Sequence, residues 1–174
     1  FFDLKPLFGR AVITGLARIG GRVAGIVANQ PLVNGGAMGI EALEKMTAFF
    51  CLCDTFNIPL IFFHDTPGFI TGKDAEHRKV GLKVTVALEA LAQVTVPKIS
   101  VIVRKSYGQA MLNMCGPTAG PDFIVAWPTA EVGFLEPEIA VDVVYGSTAE
   151  SEKAALVERM VAEGNPWPLA EQFY

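Results

Sequence analysis

Three apolar runs constrain this chain more than any other feature. Residues 22–29 (RVAGIVAN), 60–64 (LIFFH) and 98–104 (KISVIVR) are each of strand length, and helix-length segments separate them. A strand that is apolar on both faces needs cover on both faces. Such strands alternating with helices predict a mainly parallel sheet packed between helices. Residues 37–56 carry Leu43, Met46, Phe50 and Cys53 at helical spacing, and residues 74–94 carry Val84, Ala87, Leu88 and Leu91 on one face. Each segment predicts one long helix. Residues 108–115, 137–145 and 149–163 predict further helices, and 123–127 and 131–134 further short strands. Residues 10–19 show a short helical pattern that Gly20-Gly21 breaks. No linker, charge block or internal repeat divides the 174 residues, which predicts a single α/β domain.

The net charge of −4 gives no general attraction to nucleic acid. Apolar residues make up 51% of the chain and mean hydropathy is +0.39, which predicts apolar surface buried in an interface. No uninterrupted apolar run approaches the roughly 20 residues of a membrane span. Cys51, Cys53 and Cys115 do not suggest a disulfide framework. Cys51 and Cys53 lie in an apolar helical stretch and are expected to be buried. No metal is expected, because a Cys-x-Cys pair without nearby histidines is a poor zinc site. Reduced thiols predict an intracellular, cytoplasmic protein. The start at Phe1 and the aromatic pair Phe173-Tyr174 at the end predict a fragment of a longer chain.

The run at 98–104 leads into Tyr107-Gly108-Gln109-Ala110, which opens a helix. A helix start leaves backbone N–H groups unpaired, and with the helix dipole they favour a negative oxygen. Taken alone, such a glycine more commonly just permits a tight turn. Asp65-Thr66-Pro67-Gly68-Phe69 follows a buried strand, where loops of α/β sheets line ligand crevices. Asp65 sits in a DTPG sequence of the kind seen in nucleotide hydrolases, but no phosphate-binding Gly-x-x-x-x-Gly-Lys-Ser/Thr loop accompanies it. A turn-stabilising acceptor is the commoner role for such an aspartate. Asn34-Gly35-Gly36-Ala37 precedes a helix and offers either anion-binding N–H groups or a flexible turn. There is no dinucleotide fingerprint and no Gly-x-Ser-x-Gly elbow. His64, at a strand end, and His77, in the first turn of a helix, suit core or capping roles. Lys45, Lys79, Lys83, Arg104 and Lys105 are candidate anion contacts, most of them better placed on solvated faces. Arg104-Lys105 at a strand end is the most suggestive pair. Glu136-Pro137-Glu138 offers paired carboxylates, at a helix start that favours acids in any case.

Read in order, Phe1-Phe-Asp-Leu-Lys-Pro6, Gly21-Arg-Val-Ala-Gly-Ile-Val-Ala-Asn-Gln-Pro31, Asp65-Thr-Pro-Gly-Phe69 with Gly72, Val96-Pro-Lys98, Arg104-Lys-Ser-Tyr-Gly108 and Ala126-Trp-Pro-Thr-Ala-Glu131 resemble one family. The chain resembles the C-terminal half of the carboxyltransferase (β) subunit of biotin-dependent acyl-CoA carboxylases. That family includes propionyl-, acetyl- and methylcrotonyl-CoA carboxylases and related decarboxylases. The resemblance implies a crotonase-like β/α superhelix over residues 1–174. It implies carboxyl transfer from N1-carboxybiotin to an acyl-CoA, this half supplying the biotin side. The backbone N–H groups of Gln109 and Ala110 would form the oxyanion hole, holding the enolate oxygen of biotin. Gly108, Tyr107, Asp65, Thr66, Pro67, Gly68, Phe69, Gly35 and Gly36 would shape the biotin pocket.

The implied partners are the N-terminal half of the carboxyltransferase subunit, a biotin carboxylase or biotin carrier subunit, and further copies in a homo-oligomer. The implied compartment is the cytoplasm, or the mitochondrial matrix in a eukaryote. The fragment alone is expected to be inactive. Three positions depart from the family pattern. Gln109 replaces the second glycine of Tyr-Gly-Gly-Ala, which keeps the N–H but adds a side chain. Leu112 replaces an aspartate associated with acyl-chain choice. Leu135-Glu-Pro-Glu-Ile-Ala-Val141 replaces Met-Gly-x-x-Gly-Ala-Val. A decarboxylase subunit of the same family is one rival reading. A non-catalytic assembly module is another.

Overall fold

A computed structural model describes residues 1–146 and 150–171. Its first three strands are β1 (Phe2–Leu4), β2 (Val12–Ile19) and β3 (Arg22–Asn29). Helix α1 (Ile40–Thr55) follows, then β4 (Leu60–Thr66), α2 (Lys73–His77), α3 (Val80–Gln93), β5 (Lys98–Tyr107) and α4 (Gly108–Asn113). The chain continues through β6 (Phe123–Ala126), β7 (Glu131–Gly133), α5 (Pro137–Tyr145), α6 (Glu150–Glu163) and α7 (Pro166–Glu171). Position 149, where the last long helix was expected to begin, and the aromatic pair Phe173-Tyr174 lie outside the described residues.

The strands form one sheet in the order β1-β2-β3-β4-β5-β6, with β7 also paired to β5. The sheet is mixed: β1, β2 and β3 run antiparallel, and from β3 onward the pairing is parallel. The parallel part is the layered arrangement that the three apolar runs predict. The antiparallel part corrects the helical reading of residues 10–19. Gly20 and Gly21, at φ +56° and +83°, form a two-residue turn between β2 and β3. Two positive φ angles match the twist of a hairpin, so the break is a strand reversal and not a helix end.

The segment 74–94 also differs from its expected single helix. Lys79 takes φ +61° and divides it into α2 and α3, which places His77 at the end of α2 instead of a helix's first turn. The main core packs Val12, Val27, Met46, Phe50, Phe62 and Leu91 between α1, α3 and the sheet. Phe50 and Phe62 meet with ring centres 5.7 Å apart in a tilted pair, a favoured aromatic geometry. Cys53 is buried, but Cys51 on the same helix is exposed. The two are two positions apart, so the helical turn separates their faces. Among the described residues no helix is long and apolar enough to cross a membrane.

Candidate functional site

Strands β4 and β5 are neighbours in the sheet, so their C-terminal ends and the turns beyond share one edge. Sequence-predicted residues meet there. Asp65 and Thr66 belong to the last residues of β4, not to a loop as expected. The Thr66 Oγ1 hydroxyl donates to the Gly36 carbonyl at 2.9 Å, and Gly68 N–H donates to Thr66 Oγ1 at 3.2 Å. Met38 N–H donates to Gly68 O at 3.0 Å, and Ile70 N–H to Met38 O at 2.9 Å. The segments around Asn34–Gly36 and Asp65–Phe69 are therefore sewn together, and Met38 and Phe69 form a parallel bridge. Gly36 sits so close to β4 that a Cβ there would collide with the Asp65 carbonyl oxygen.

These bonds change the role of the Asn34–Ala37 turn. Gly36 N–H donates to Val33 O and Ala37 N–H to Asn34 O, both at 3.0 Å. Those two N–H groups are consumed by the turn, and α1 starts only at Ile40. Gly35 is exposed and Gly36 buried.

The second turn is differently built. Tyr107 ends β5 in extended conformation and α4 begins at once with Gly108, at φ +61°. A side chain is disfavoured there by conformation and by the Phe134 carbonyl, 3.1 Å from where a Cβ would sit. The N–H groups of Gly108, Gln109 and Ala110 precede the first intrahelical bond that α4 can close. Among the described residues no turn, loop or side-chain acceptor is recorded for those of Gln109 and Ala110. Gln109 is exposed and Ala110 is fully buried, in the same core cluster as Met38 and Met114. Leu112 is half-buried further along α4.

Charged groups around this edge pair with each other. Arg104 Nε donates to both Asp65 oxygens, at 2.9 and 3.2 Å. Asp65 thus ties the ends of β4 and β5 together. Lys105 Nζ donates to Glu136, the residue that immediately precedes α5. The Tyr107 hydroxyl donates to Glu131 Oε2 at 2.8 Å, and burial together with that glutamate pushes the phenol upward from its ordinary pKa. Tyr107 also lines a cavity of about 340 Å³ with Phe134, Leu135, Val144, Met160 and Val161. Lys45 is buried and donates to Val12 O at 2.7 Å, which removes it from the candidate anion contacts. Lys83 pairs with Glu44. Burial pushes the Cys53 thiol up to about 12 and that of Cys115 up to about 11, so neither is an activated nucleophile.

Sequence reasoning missed one buried pair. His64 Nδ1 lies 2.9 Å from Ser106 Oγ, and both residues are fully buried. Burial lowers the His64 pKa to about 4, against a smaller opposing pull from the Met114 backbone. The ring is neutral near pH 7, as a core histidine is expected to be. The available signal was a histidine directly after the apolar run at 60–63 of β4 and a serine just past Arg104-Lys105 in β5.

The architecture has close solved relatives. It superposes with TM-score 0.94 and 35% identity on the crystal structure of transcarboxylase 12S, a hexameric multienzyme core holding methylmalonyl-coenzyme A and methylmalonic acid, over 98% of this chain and 34% of that one. The fold is crotonase-like. A family model described as the carboxyl transferase domain matches residues 1–165, and the chain belongs to that family. An uncharacterized carboxylase of Bacillus subtilis, YngE, is 44% identical over 161 residues, covering 90% of this chain and 32% of its own. The carboxyltransferase subunit of propionyl-CoA carboxylase from Haloferax mediterranei is 38% identical over 179 residues, covering 99% and 35%. The chain therefore spans about a third of the length of the curated relatives it matches.

Proposed function

We propose that this domain forms the biotin-facing half of an acyl-CoA carboxyltransferase, with the backbone N–H groups of Gln109 and Ala110 as its oxyanion hole. The observation that carries this reading is the turn itself: β5 passes directly into α4 through Gly108, leaving those N–H groups at a helix start. The chemistry of the donors fits a urea-like oxygen that gains negative charge. Carboxybiotin, when bound, supplies the carboxyl group.

The chain's own residues do the positioning. Gly108 keeps the approach free of a side chain, and the exposed Gln109 side chain borders it. Arg104 offsets the Asp65 charge, and Lys105 that of Glu136, so the carboxylates beside the turn repel an incoming anion less. Donors fixed before the reaction cost no reorganisation when charge develops. The remainder of the subunit would supply the acyl-CoA side, and a biotin carboxylase or biotin carrier partner would bring biotin. Leu112 would bear on acyl choice. Phe134, Ile139, Val143 and Val144 are exposed and apolar, which supports packing against another part of the subunit or a further copy.

The test is carboxyl transfer run in reverse by the full-length subunit, with malonyl-, methylmalonyl- and methylglutaconyl-CoA as donors and free biotin as acceptor. One thioester is expected to turn over. Ala110→Pro removes one N–H, at the third position of α4, whose N–H closes no intrahelical bond. It is expected to lower kcat by about 10²-fold or more with the circular dichroism spectrum unchanged. Full activity in that variant would sink the oxyanion assignment.

A further inference from the structure

β5 carries an irregularity just before the turn that opens α4. His64 pairs with Ile102, and two residues later Thr66 pairs with Ser106, so four steps along β5 answer two along β4. The extra length spans Val103 to Lys105. A bulge re-aims the chain that follows it, and here the chain that follows is Tyr107–Ala110. Something must hold the bulge in one shape if the N–H groups of α4 are to point in one direction.

Side chains of β4 hold it at two points. One is Asp65, which pairs with the half-exposed Arg104 guanidinium and accepts from the Lys105 backbone N–H at 3.4 Å. The other is the His64–Ser106 hydrogen bond, which is wholly buried. Ser106 also pairs through its backbone with Val132 of β7, so it is clamped between two strands. The far end of α4 is anchored separately. Ser100 Oγ donates to Cys115 O at 2.6 Å, and Asn113 Nδ2 to Val84 O at 3.1 Å. His64 Nε2 is buried and closes no hydrogen bond of normal geometry among the described residues, although the Met114 backbone lies close enough to pull the ring's pKa upward against burial. Apolar residues at 64 and 106 together would fill this place without leaving a polar atom unpaired, so core packing alone does not account for the pair.

We propose that His64 is a positioning residue for the oxyanion turn, holding Ser106 across the β5 bulge and thereby setting the direction of the Gln109 and Ala110 N–H groups. The inference rests on the carboxyl-transfer reading above. It concerns placement only: His64 moves no proton in the reaction. A misplacement of about 1 Å at a reacting group costs on the order of 10²-fold in rate.

The experiment uses the full-length subunit with its biotin-bearing partner and compares wild type with Ser106→Ala, His64→Leu, His64→Asn and the double variant His64→Leu/Ser106→Ala. Ser106→Ala is the gentlest, removing one oxygen. It and His64→Leu are each expected to lower kcat about tenfold or more with KM for the acyl-CoA within about twofold. The double variant is expected to be no worse than the worse single, because both remove the same bond. His64→Asn, whose amide takes the place of Nδ1, is expected to restore most of kcat. Hydrogen–deuterium exchange should rise in the peptide covering 106–115 and stay unchanged elsewhere. Full kcat in Ser106→Ala, losses that multiply in the double variant, or exchange that rises evenly over the domain would overturn the proposal while leaving carboxyl transfer standing. A wild-type subunit without turnover would overturn both.

Discussion

Two glycine-bearing turns leave the same edge of the sheet, one after β4 and one after β5, and they are built to opposite ends. Around Thr66 the backbone is closed on itself: Thr66 Oγ1 holds Gly36 and Gly68, Met38 is bonded to both sides of the Gly68–Ile70 crossing, and Gly36 and Ala37 spend their N–H groups inside their own turn. After Tyr107 the chain enters a helix at once, and the first N–H groups of that helix stay uncommitted by geometry. Glycine lets the Asn34–Gly36 turn approach β4 closely in the first case and opens a donor set in the second. The residue type is shared; what distinguishes the scaffold from the proposed site is where the N–H groups go.

That contrast can be attacked at the link between the turns, at the closed turn, and at its solvent-facing tie. His64 is the link. Its folded pKa, near 4, lies below its ordinary value of 6.5. The unfolded chain therefore binds a proton that the native state refuses. Its contribution is complete above pH 6.5, declines as pH falls from 6.5 towards 4, and is lost below, a span of about 3 kcal/mol. Urea titrations from pH 7 to pH 4 are expected to show this slope in wild type and a shallower one in His64→Asn. Equal slopes would mean that the ring is not held neutral by burial.

The closed turn is next. Gly36→Ala places a methyl group against the Asp65 carbonyl oxygen at a φ of +87°. A loss on the order of 2 kcal/mol is expected in chemical denaturation. An unchanged midpoint would show that the two crossings are less tightly sewn than their hydrogen bonds imply. The smallest effect belongs to Arg104→Gln. Its partner Asp65 is mostly buried but the guanidinium is half-exposed, so stability should fall by under about 1 kcal/mol. If the loss instead matches that of Gly36→Ala, the ion pair rather than the buried His64–Ser106 bond is the principal hold on the bulge.

The legible parts of this molecule were those written in local periodicity. The runs at 22–29, 60–64 and 98–104 became β3, β4 and β5, and the helix signals at 37–56 and 108–115 became α1 and α4 with shorter bounds. Residues 10–19 misled because Val12, Ile13, Leu16 and Ile19 fit helical spacing as well as a strand, and only pairing with β3 decides between them. The break at Lys79 was equally hidden, since a lysine at positive φ leaves no composition signal. At the site, the ordered motifs pointed to both turns, and their place at one sheet edge followed from the parallel sheet. The partners of Asp65, Tyr107 and Lys105 did not follow, nor did the His64–Ser106 bond, because these contacts join residues 24 to 42 positions apart.

By itself, then, the sequence determined the family, the parallel β/α core and the glycine-opened turn before α4. The family followed from the resemblance of its ordered motifs; the core and the turn depend on apolar periodicity and on backbone conformations that particular residues permit, which are local properties. Tertiary structure alone decided which N–H groups remain unpaired among the described residues, which carboxylates are already paired and that His64 is held neutral. Each of those outcomes depends on a distant partner's position to within a few tenths of an ångström, and on the water that packing excludes around it.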